Sequence, residues 1–289
     1  MKNLVLLLIV GLMASCTPEP IDIELPQAPS KIVVSSQYAY DTISQQNVLL
    51  VVLSKSFSAL ENNLPVIDST GIHINPDLLV SGATVEVFTP QETIALTEGD
   101  QGMYYAINFS YVPNQLVKLV VKDAQNNVLT EATTGTTKTK DFEYVGLQKK
   151  GANKFLNYAL KDDPNTSNWY LVNYFTKQQK DSVPNYNDPR YIAKKLTEQD
   201  VSFDIYADAD FVNGTLTVEK NLGIYNYDTV VVAVSEVTQS HYQFLTAQKR
   251  YGKFINQLRG EIINFPTNVK NGYGYFSANN PKVKILTFN

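Results

Sequence analysis

The feature that most restricts the fold of this chain is a succession of short apolar, β-branched segments that begins at Lys31. Turn residues interrupt these segments roughly every eight to twelve positions, which is typical of antiparallel strands in a sandwich or barrel. A helix would instead need apolar residues at a period of 3.6. About seven segments occur between residues 31 and 134, the number found in an immunoglobulin-like sandwich. The sequence therefore predicts an all-β protein with an immunoglobulin-like β-sandwich over residues 31–134.

A polar segment divides this region from the second half of the chain. Residues 135–140 contain no apolar side chain and are predicted to be a linker. Residues 141–289 contain further strand segments and are predicted to form a β-rich C-terminal domain with one packed helix near residues 236–250. Ser235 is the predicted N-cap of this helix, and Gly252 marks its predicted end. The helical face expected to pack consists of Val237, His241, Phe244, Leu245 and Gln248.

The first residues have the composition of an export signal. A positive residue precedes an apolar run from Leu4 to Met13, and small residues follow, which predicts a signal peptide over residues 1–15. The run is shorter than the roughly 20 residues that a transmembrane helix needs. Leu12 to Cys16 resembles a bacterial lipobox, and Cys16 is the only cysteine. We therefore expect lipidation of Cys16 and a Pro-rich spacer over residues 16–30, with an ordinary signal peptide and a chance cysteine as the alternative.

The scarcity of histidine and cysteine excludes several kinds of chemistry. With 2 histidines and 1 cysteine, the chain can form no internal disulfide and has no ligand-spaced zinc motif. A net charge of -4 argues against nucleic acid as a partner. No P-loop, Gly-x-Ser-x-Gly or dinucleotide-binding glycine pattern occurs. We therefore predict no metal, no cofactor and no catalytic residue, and we interpret His241 as structural and His73 as a loop residue.

One acidic stretch allows two interpretations. Asp208, Asp210 and Glu219 resemble the ligands of an EF-hand loop, but the glycine is displaced by one position and Val212 occupies a ligand position. Asn213-Gly214 is instead typical of a type I′ hairpin turn. We favour a solvated strand face over a calcium site. The residues expected on that face are Asp204, Tyr206 and Asp208.

Two polar segments, residues 181–191 and 268–276, carry tyrosines in a Pro-rich or Gly-rich context. Tyrosine is favoured in recognition because it offers a large rigid surface and a hydroxyl group at low entropic cost. The predicted partner-binding or ligand-binding residues are Tyr186, Tyr191, Tyr273 and Tyr275. On this interpretation they lie nearer the interaction surface than the N-terminal sandwich, which acts as a spacer. The alternative for the second segment is a hairpin whose rings complete the core of the second domain.

Four stretches of the chain, taken in order, resemble a known family. They are Cys16 with Ile21–Pro26, Lys31–Val34 with Leu53–Phe57, Val80–Val85, and the run from Phe244 through Asn256–Leu258 to Asn268–Gly274. Together they are similar to a family of Bacteroidota lipoproteins, the domain of unknown function 4249, over nearly the whole mature chain. The resemblance implies attachment to the outer membrane beside a β-barrel protein such as a TonB-dependent transporter, and it carries over no catalytic residue. Acidic residues closely following the lipidated cysteine favour the cell surface over the periplasmic face in such bacteria.

The resemblance also bears on covalent modification. Bacteria of that group use a short sequence of Asp, then Ser or Thr, then an apolar residue as an acceptor for O-glycans. Four sequences in the chain resemble this acceptor, and the candidate acceptor residues are Thr42, Ser69, Ser182 and Thr229. Ser182 is the favoured acceptor because its segment reads as an exposed loop, whereas Thr229 runs into a predicted strand.

Three hypotheses of function follow from these observations. The favoured one is a non-enzymatic outer-membrane lipoprotein that serves as an accessory or binding component of a TonB-dependent transport complex or another outer-membrane complex. The first alternative is a surface hydrolase that uses paired carboxylates, which would have to lie about 5 to 10 Å apart. The second alternative is a purely structural envelope protein.

Overall fold

The computed structural model describes residues 29–41, 46–56, 66–68, 71–73, 76–99, 102–107, 109–177, 202–224, 229–251 and 265–288. Within these ranges the chain forms β-strands, two short 3₁₀ turns and one α-helix, so the predicted all-β class is confirmed. No helix in the described ranges is long and apolar enough to cross a membrane.

The first part of the chain supplies ten strands. In order they are β1 (Ile32–Asp41), β2 (Gln46–Lys55), β3 (Val66–Asp68), β4 (Gly71–His73), β5 (Thr84–Phe88), β6 (Thr93–Ala95), β7 (Thr97–Glu98), β8 (Met103–Ile107), β9 (Leu116–Lys122) and β10 (Val128–Gly135). Strands β3 and β4 form a separate antiparallel hairpin. His73 therefore ends a strand rather than lying in the loop that the sequence predicts, because a strand of three residues is too short to show an alternating pattern.

The second part supplies nine strands and the helix. They are β11 (Tyr144–Lys150), β12 (Asn153–Lys161), β13 (Trp169–Lys177), β14 (Ser202–Ala207), β15 (Thr215–Gly223), β16 (Thr229–Val237), α1 (Gln239–Tyr251), β17 (Val269–Lys270), β18 (Tyr273–Tyr275) and β19 (Lys282–Thr287).

These strands build two sandwiches. The first has sheets of order β18-β1-β2-β8-β7 and β17-β10-β9-β5-β6, and the second has sheets of order β11-β12-β15 and β14-β13-β16-β19. In the first sandwich, β1 and β2 lie in one sheet, β5 and β6 lie in the opposite sheet, and β8 returns to the sheet of β1 and β2. The last two strands, β9 and β10, lie in the sheet of β5 and β6. The second sandwich repeats this order with β11 and β12, then β13 and β14, then β15, and finally β16 and β19. This exchange is typical of immunoglobulin-like sandwiches. The predicted sandwich is therefore present in the first half, and the second half adopts a related one.

Residues 268–276, which we call the inserted hairpin, belong to the first sandwich, although the sequence assigned them to the second domain. Its strands β17 and β18 lie in the two opposite sheets and do not pair with each other. Strand β17 pairs antiparallel with β10, and β18 pairs parallel with β1. Val269 and Phe276 are 4% and 0% exposed and lie in the first core. Local residue patterns predict a short strand but carry no information about which sheet it joins. The connection between β16 and β19 of the second sandwich thus completes the first.

The predicted linker, residues 135–140, is packed over its first part. Thr136 and Thr137 are buried, at 5% and 8% exposure, whereas Lys138 and Thr139 are exposed. The hydroxyl of Thr136 donates to the carbonyl of Val112 over 2.7 Å, and the hydroxyl of Tyr111 donates to the carbonyl of Thr137 over 2.7 Å. Threonine can be buried here because each hydroxyl has a hydrogen-bond partner.

The helix begins later than the sequence predicts. Strand β16 continues through Val237, so Ser235 is a buried strand residue and not the N-cap. Thr238 has that role, because its Oγ1 accepts a hydrogen bond from the backbone N–H of His241 over 3.3 Å. His241 and Leu245 are buried as predicted, but Gln248 is exposed. Gly252, the predicted end, lies outside the described residues.

Candidate functional site

The inserted hairpin passes so close to β1 that its sequence is restricted to glycine at two positions, Gly272 and Gly274. Gly274 has a φ of +85°, and a Cβ built on it would lie 1.9 Å from the backbone oxygen of Val34. Asn271, with a φ of 55°, supplies the left-handed residue of the turn, a conformation that asparagine tolerates better than most residues. The Asn271–Gly274 motif is therefore explained by backbone geometry.

Asn268 fixes the two ends of the hairpin. Its Nδ2 donates to the carbonyl of Thr133 over 2.9 Å and to that of Phe276 over 2.7 Å, while its Oδ1 accepts from the backbone N–H of Phe276 over 2.9 Å. Farther along, Ser36 Oγ accepts from the backbone N–H of Ser277 over 2.6 Å. The chain is therefore held against the first sandwich by polar contacts as well as by the apolar side chains in its core.

Tyr275 lies in the interior, which corrects its prediction as a surface residue. It is 3% exposed, and its ring stacks on His241 with centroids 4.8 Å apart and on Phe244 with centroids 5.2 Å apart. Its hydroxyl lies 2.6 Å from Ser240 Oγ. Helix α1 covers this ring, and the sequence does not reveal that contact because helix and hairpin come from separate segments.

His241 has the structural role that the sequence predicts. It is 7% exposed, and Nδ1 lies 3.1 Å from Nδ2 of Asn279. Burial lowers the pKa of His241 to about 4, so the imidazole is neutral at neutral pH. His241, Tyr275 and Asn279 together form the contact between helix α1 and the segment that leaves the first sandwich.

Tyr273 is the exposed tyrosine of the inserted hairpin. It is 48% exposed, and the ammonium of Lys31 lies 5.2 Å from its ring centroid. Tyr273 is aligned with Val33, near the start of β1. It therefore belongs to the first sandwich, at the end where the N-terminal segment enters, and not to a surface beyond a spacer domain as the sequence predicted.

Most of the other predicted sites lie outside the described residues. These are Cys16, Thr42, Ser69, Ser182, Tyr186 and Tyr191. Thr229 is described: it is half-buried and is the first residue of β16, paired with Lys177 on one side and Thr287 on the other. Its position inside a three-strand ladder agrees with the lower rank that the sequence gave it as an acceptor.

The acidic stretch forms the predicted turn but not the predicted solvated face. Asn213 and Gly214 have φ angles of 52° and 74°, which confirms the type I′ turn. Asp204, however, is 8% exposed and forms ion pairs of 2.9 Å with Lys220 and 3.1 Å with Lys249. Both faces of β14 are covered, by the second core on one side and by helix α1 on the other. In the described ranges no group of three His, Cys, Asp or Glu side chains could hold a metal.

Among the carboxyls of the described residues, Glu236 lies in an environment that raises its pKa, as the environment of an acid catalyst does. Burial raises its pKa; Lys138 and Lys140 oppose this, while Asp163 and Asp162 add to it. A carboxyl with a raised pKa can act as a general acid where that pKa lies near the operating pH. The hydroxyl of Tyr170 donates to Asp162 over 2.8 Å. The charged group around Glu236 was not predicted from the sequence, because the two lysines, the two aspartates and Glu236 come from three separate segments.

Two immunoglobulin-like sandwiches joined by an inserted hairpin define the structural class of this protein. The sequence model described as Domain of unknown function (DUF4249) matches residues 18–285, and the chain belongs to that family. Comparison with the curated proteins found no match.

Several solved structures are similar to this chain at low identity. A DUF3823 family protein from Parabacteroides merdae is 12% identical, with 73% of this chain and 92% of that chain covered and a TM-score of 0.22. A DUF3823 family protein from Bacteroides ovatus is 14% identical, with coverages of 56% and 83% and a TM-score of 0.22. A segment of two fibronectin type-III domains from chicken tenascin is 8% identical, with coverages of 72% and 91% and a TM-score of 0.20. TM-scores this low carry no argument about function.

Proposed function

We propose that this protein is a non-enzymatic, lipid-anchored component of the outer membrane that binds a partner there. The partner we propose is an outer-membrane β-barrel protein such as a TonB-dependent transporter. Support for the anchor comes from the lipobox-like sequence at Cys16 and the Pro-rich segment after it. An anchor of several acyl chains is stable, whereas one chain binds only weakly.

The observation that carries this proposal is the hairpin that joins the two sandwiches. Three connections run between the sandwiches: the segment after Gly135, the segment before Val269 and the segment after Phe276. Each meets the first sandwich at the end opposite to Ile32. A chain anchored before Ile32 therefore holds the second sandwich at its distal end. Val269 and Phe276 are buried in the first core, and Tyr275 of the same segment stacks on His241 and Phe244 of helix α1, so the second sandwich also packs against the first.

A protein of this form suits the presentation of a binding surface to a neighbour in the membrane. Loop tips and uncovered apolar side chains are where such contacts form. The second sandwich has exposed apolar residues of this kind, among them Val212, which is 73% exposed in the turn between the 3₁₀ segment and β15. We propose that the partner contacts this distal part.

The experiment is crosslinking in the native membrane, followed by identification of the proteins that co-purify. Recovery of one β-barrel protein is expected, and its loss in Val212→Glu would assign the contact to the distal sandwich. Val128→Glu is the matched control, because Val128 is a 54% exposed valine of the first sandwich. Equal recovery from both variants contradicts the distal contact, and recovery of no membrane partner contradicts the proposal.

The anchor is tested separately. Cys16→Ser removes the only thiol that could be acylated, so palmitate labelling should disappear and the protein should no longer fractionate as a mature membrane protein. Labelling that persists in this variant refutes acylation at Cys16.

A surface hydrolase remains the second candidate function, and the raised pKa of Glu236 beside Asp162 and Asp163 favours it. The test is hydrolysis of a panel of chromogenic glycosides by the purified protein. A reaction that Glu236→Gln abolishes without a fall in melting temperature would support this candidate over the binding function.

A further inference from the structure

A basic and aromatic corner lies where the N-terminal segment enters the first sandwich. We define the entry corner as Lys31, Lys55, Lys270 and Tyr273, all of which are exposed. Lys31 lies over the ring of Tyr273 at 5.2 Å, and Lys55 follows on the neighbouring strand, where it is paired with Ile32. Lys270 precedes Tyr273 across the tight turn of the hairpin.

The charge of the entry corner is only partly compensated. The side chain of Lys270 is 72% exposed, and its contact with Glu131 is long, at 3.8 Å. Glu131 also pairs with Lys118 at 2.7 Å, so that one carboxylate serves two ammonium groups. The protein as a whole has a net charge of -4, so the charge of this corner is opposite in sign to that of the whole chain.

Packing does not require Tyr273 at this place. The hairpin is fixed by Asn268, Val269 and Phe276, whose side chains point to the sandwich, whereas Tyr273 leaves about half of its surface in solvent. A tyrosine combines an apolar ring with a hydroxyl group, which suits the boundary between an apolar phase and water.

We infer that the entry corner contacts a membrane surface that carries anionic phosphate headgroups. This inference rests on the proposed lipid anchor: the 13 residues after Cys16 lead to Pro29, a span of at most roughly 45 Å when fully extended. The corner is thus the described surface nearest to the anchor along the chain. Since the net charge is negative, electrostatics turn the basic corner toward an anionic membrane and the rest of the protein away from it.

The occupant is a lipid surface, because exposed lysines beside a tyrosine suit anionic headgroups and not the apolar interior of a protein. Lysines near an anionic membrane strengthen binding by about fivefold each, and an interfacial tyrosine adds apolar contact. Contact at this corner would fix the tilt of the tethered protein and thereby the height of its second sandwich.

The experiment measures vesicle binding by the mature Cys16→Ser chain, which has no lipid of its own. Flotation with phosphatidylcholine vesicles is compared with flotation after phosphatidylglycerol is added, and binding is expected only to the second. Lys31→Glu with Lys270→Glu should lower the partition coefficient by at least about 20-fold. The matched control is Lys161→Glu with Lys282→Glu, which changes net charge equally at exposed lysines of the second sandwich.

Tyrosine is tested in the same way. Tyr273→Ala should weaken vesicle binding, whereas Tyr144→Ala should not, although Tyr144 is 58% exposed in the second sandwich. Melting curves show that each variant is folded. Equal losses in corner and control variants, or no preference for anionic vesicles, overturn the inference.

Two further outcomes separate this inference from the proposed function. If the corner variants lose a co-purifying protein while vesicle binding is unchanged, the corner is a protein contact and the inference is wrong. If vesicle binding follows the expected order but Cys16 proves unacylated in the native membrane, the corner binds lipid and only the proposed anchor fails.

Discussion

Replacement of Gly274 by alanine tests how the two sandwiches are joined. A Cβ at this position would lie 1.9 Å from the carbonyl oxygen of Val34. That oxygen belongs to a strand paired on both sides, so it cannot move away as the end of a side chain could. We expect Gly274→Ala to displace β18 from β1. Gly82→Ala is the matched control, because Gly82 has a similar φ of +71° with nothing within 4 Å of its added Cβ.

The magnitude follows from what the displacement uncovers. Both substitutions place an L-residue at positive φ, which costs roughly 1–2 kcal/mol. Displacement of β18 additionally loosens Phe276, which is 0% exposed, and the stacking of Tyr275. Complete loss of a buried aromatic costs about 3–5 kcal/mol, so a partial loss adds about 2–3 kcal/mol. Gly274→Ala should therefore lower the free energy of unfolding by about 3–5 kcal/mol, against about 1–2 kcal/mol for Gly82→Ala.

The assay is urea denaturation followed by circular dichroism and by the fluorescence of Trp169, the single tryptophan, which lies in the second sandwich. In Gly274→Ala we expect a lower midpoint by both signals and a separation of the two transitions, because the hairpin no longer couples the sandwiches. If Gly274→Ala costs no more than Gly82→Ala, then β18 does not lie against β1 as described.

Three further predictions concern ionisable groups. Burial lowers the pKa of His241 from 6.5 to about 4, so between these pH values the unfolded chain binds a proton that the folded chain does not bind. The free energy of unfolding should therefore fall by up to roughly 3 kcal/mol as the pH is lowered from 6.5 to 4. Denaturant titrations of His241→Phe should not show this dependence on pH. The pKa of Glu236 is raised in the folded protein, so the folded state loses stability as the pH rises through the ordinary range of a carboxyl. Glu236→Gln should therefore have a higher melting temperature than wild type at pH 7 but not in acid. A lower melting temperature of this variant at pH 7 would refute the argument. Asp204→Ala leaves Lys220 and Lys249 without their shared carboxylate and should cost about 1–3 kcal/mol by thermal melt, more than Lys249→Ala, whose side chain is 50% exposed.

Fold class could be predicted from the sequence because alternation is a local property of each strand. The turn at Asn213-Gly214 is local in the same sense, since both residues adopt the positive φ that the dipeptide favours. The start of helix α1 was misplaced by three residues because Ser235 is a plausible N-cap in isolation, and only its pairing with Leu171 in the next strand excludes it.

The burial of individual polar and aromatic residues could not be predicted in this way. Asp204 reads as solvated because its neighbours in sequence alternate, whereas its partners Lys220 and Lys249 lie 16 and 45 residues away. Ser36 and Ser277 are 241 residues apart and still share hydrogen bonds. No local pattern reports contacts of this range, so both the packed threonine segment and the covered ring of Tyr275 were missed.

The inserted hairpin changes how the most specific part of the family resemblance is understood. Asn268 closes the hairpin through three hydrogen bonds, Asn271 forms its turn, and Gly274 permits its contact with β1. Each of these residues is explained by the backbone path, and none needs a ligand. Tyr273 lies among them but makes no comparable contribution to packing, because about half of it is in solvent. Within this motif, Tyr273 and the lysines beside it are therefore the candidates for a binding role, since the other residues serve the junction of the two sandwiches.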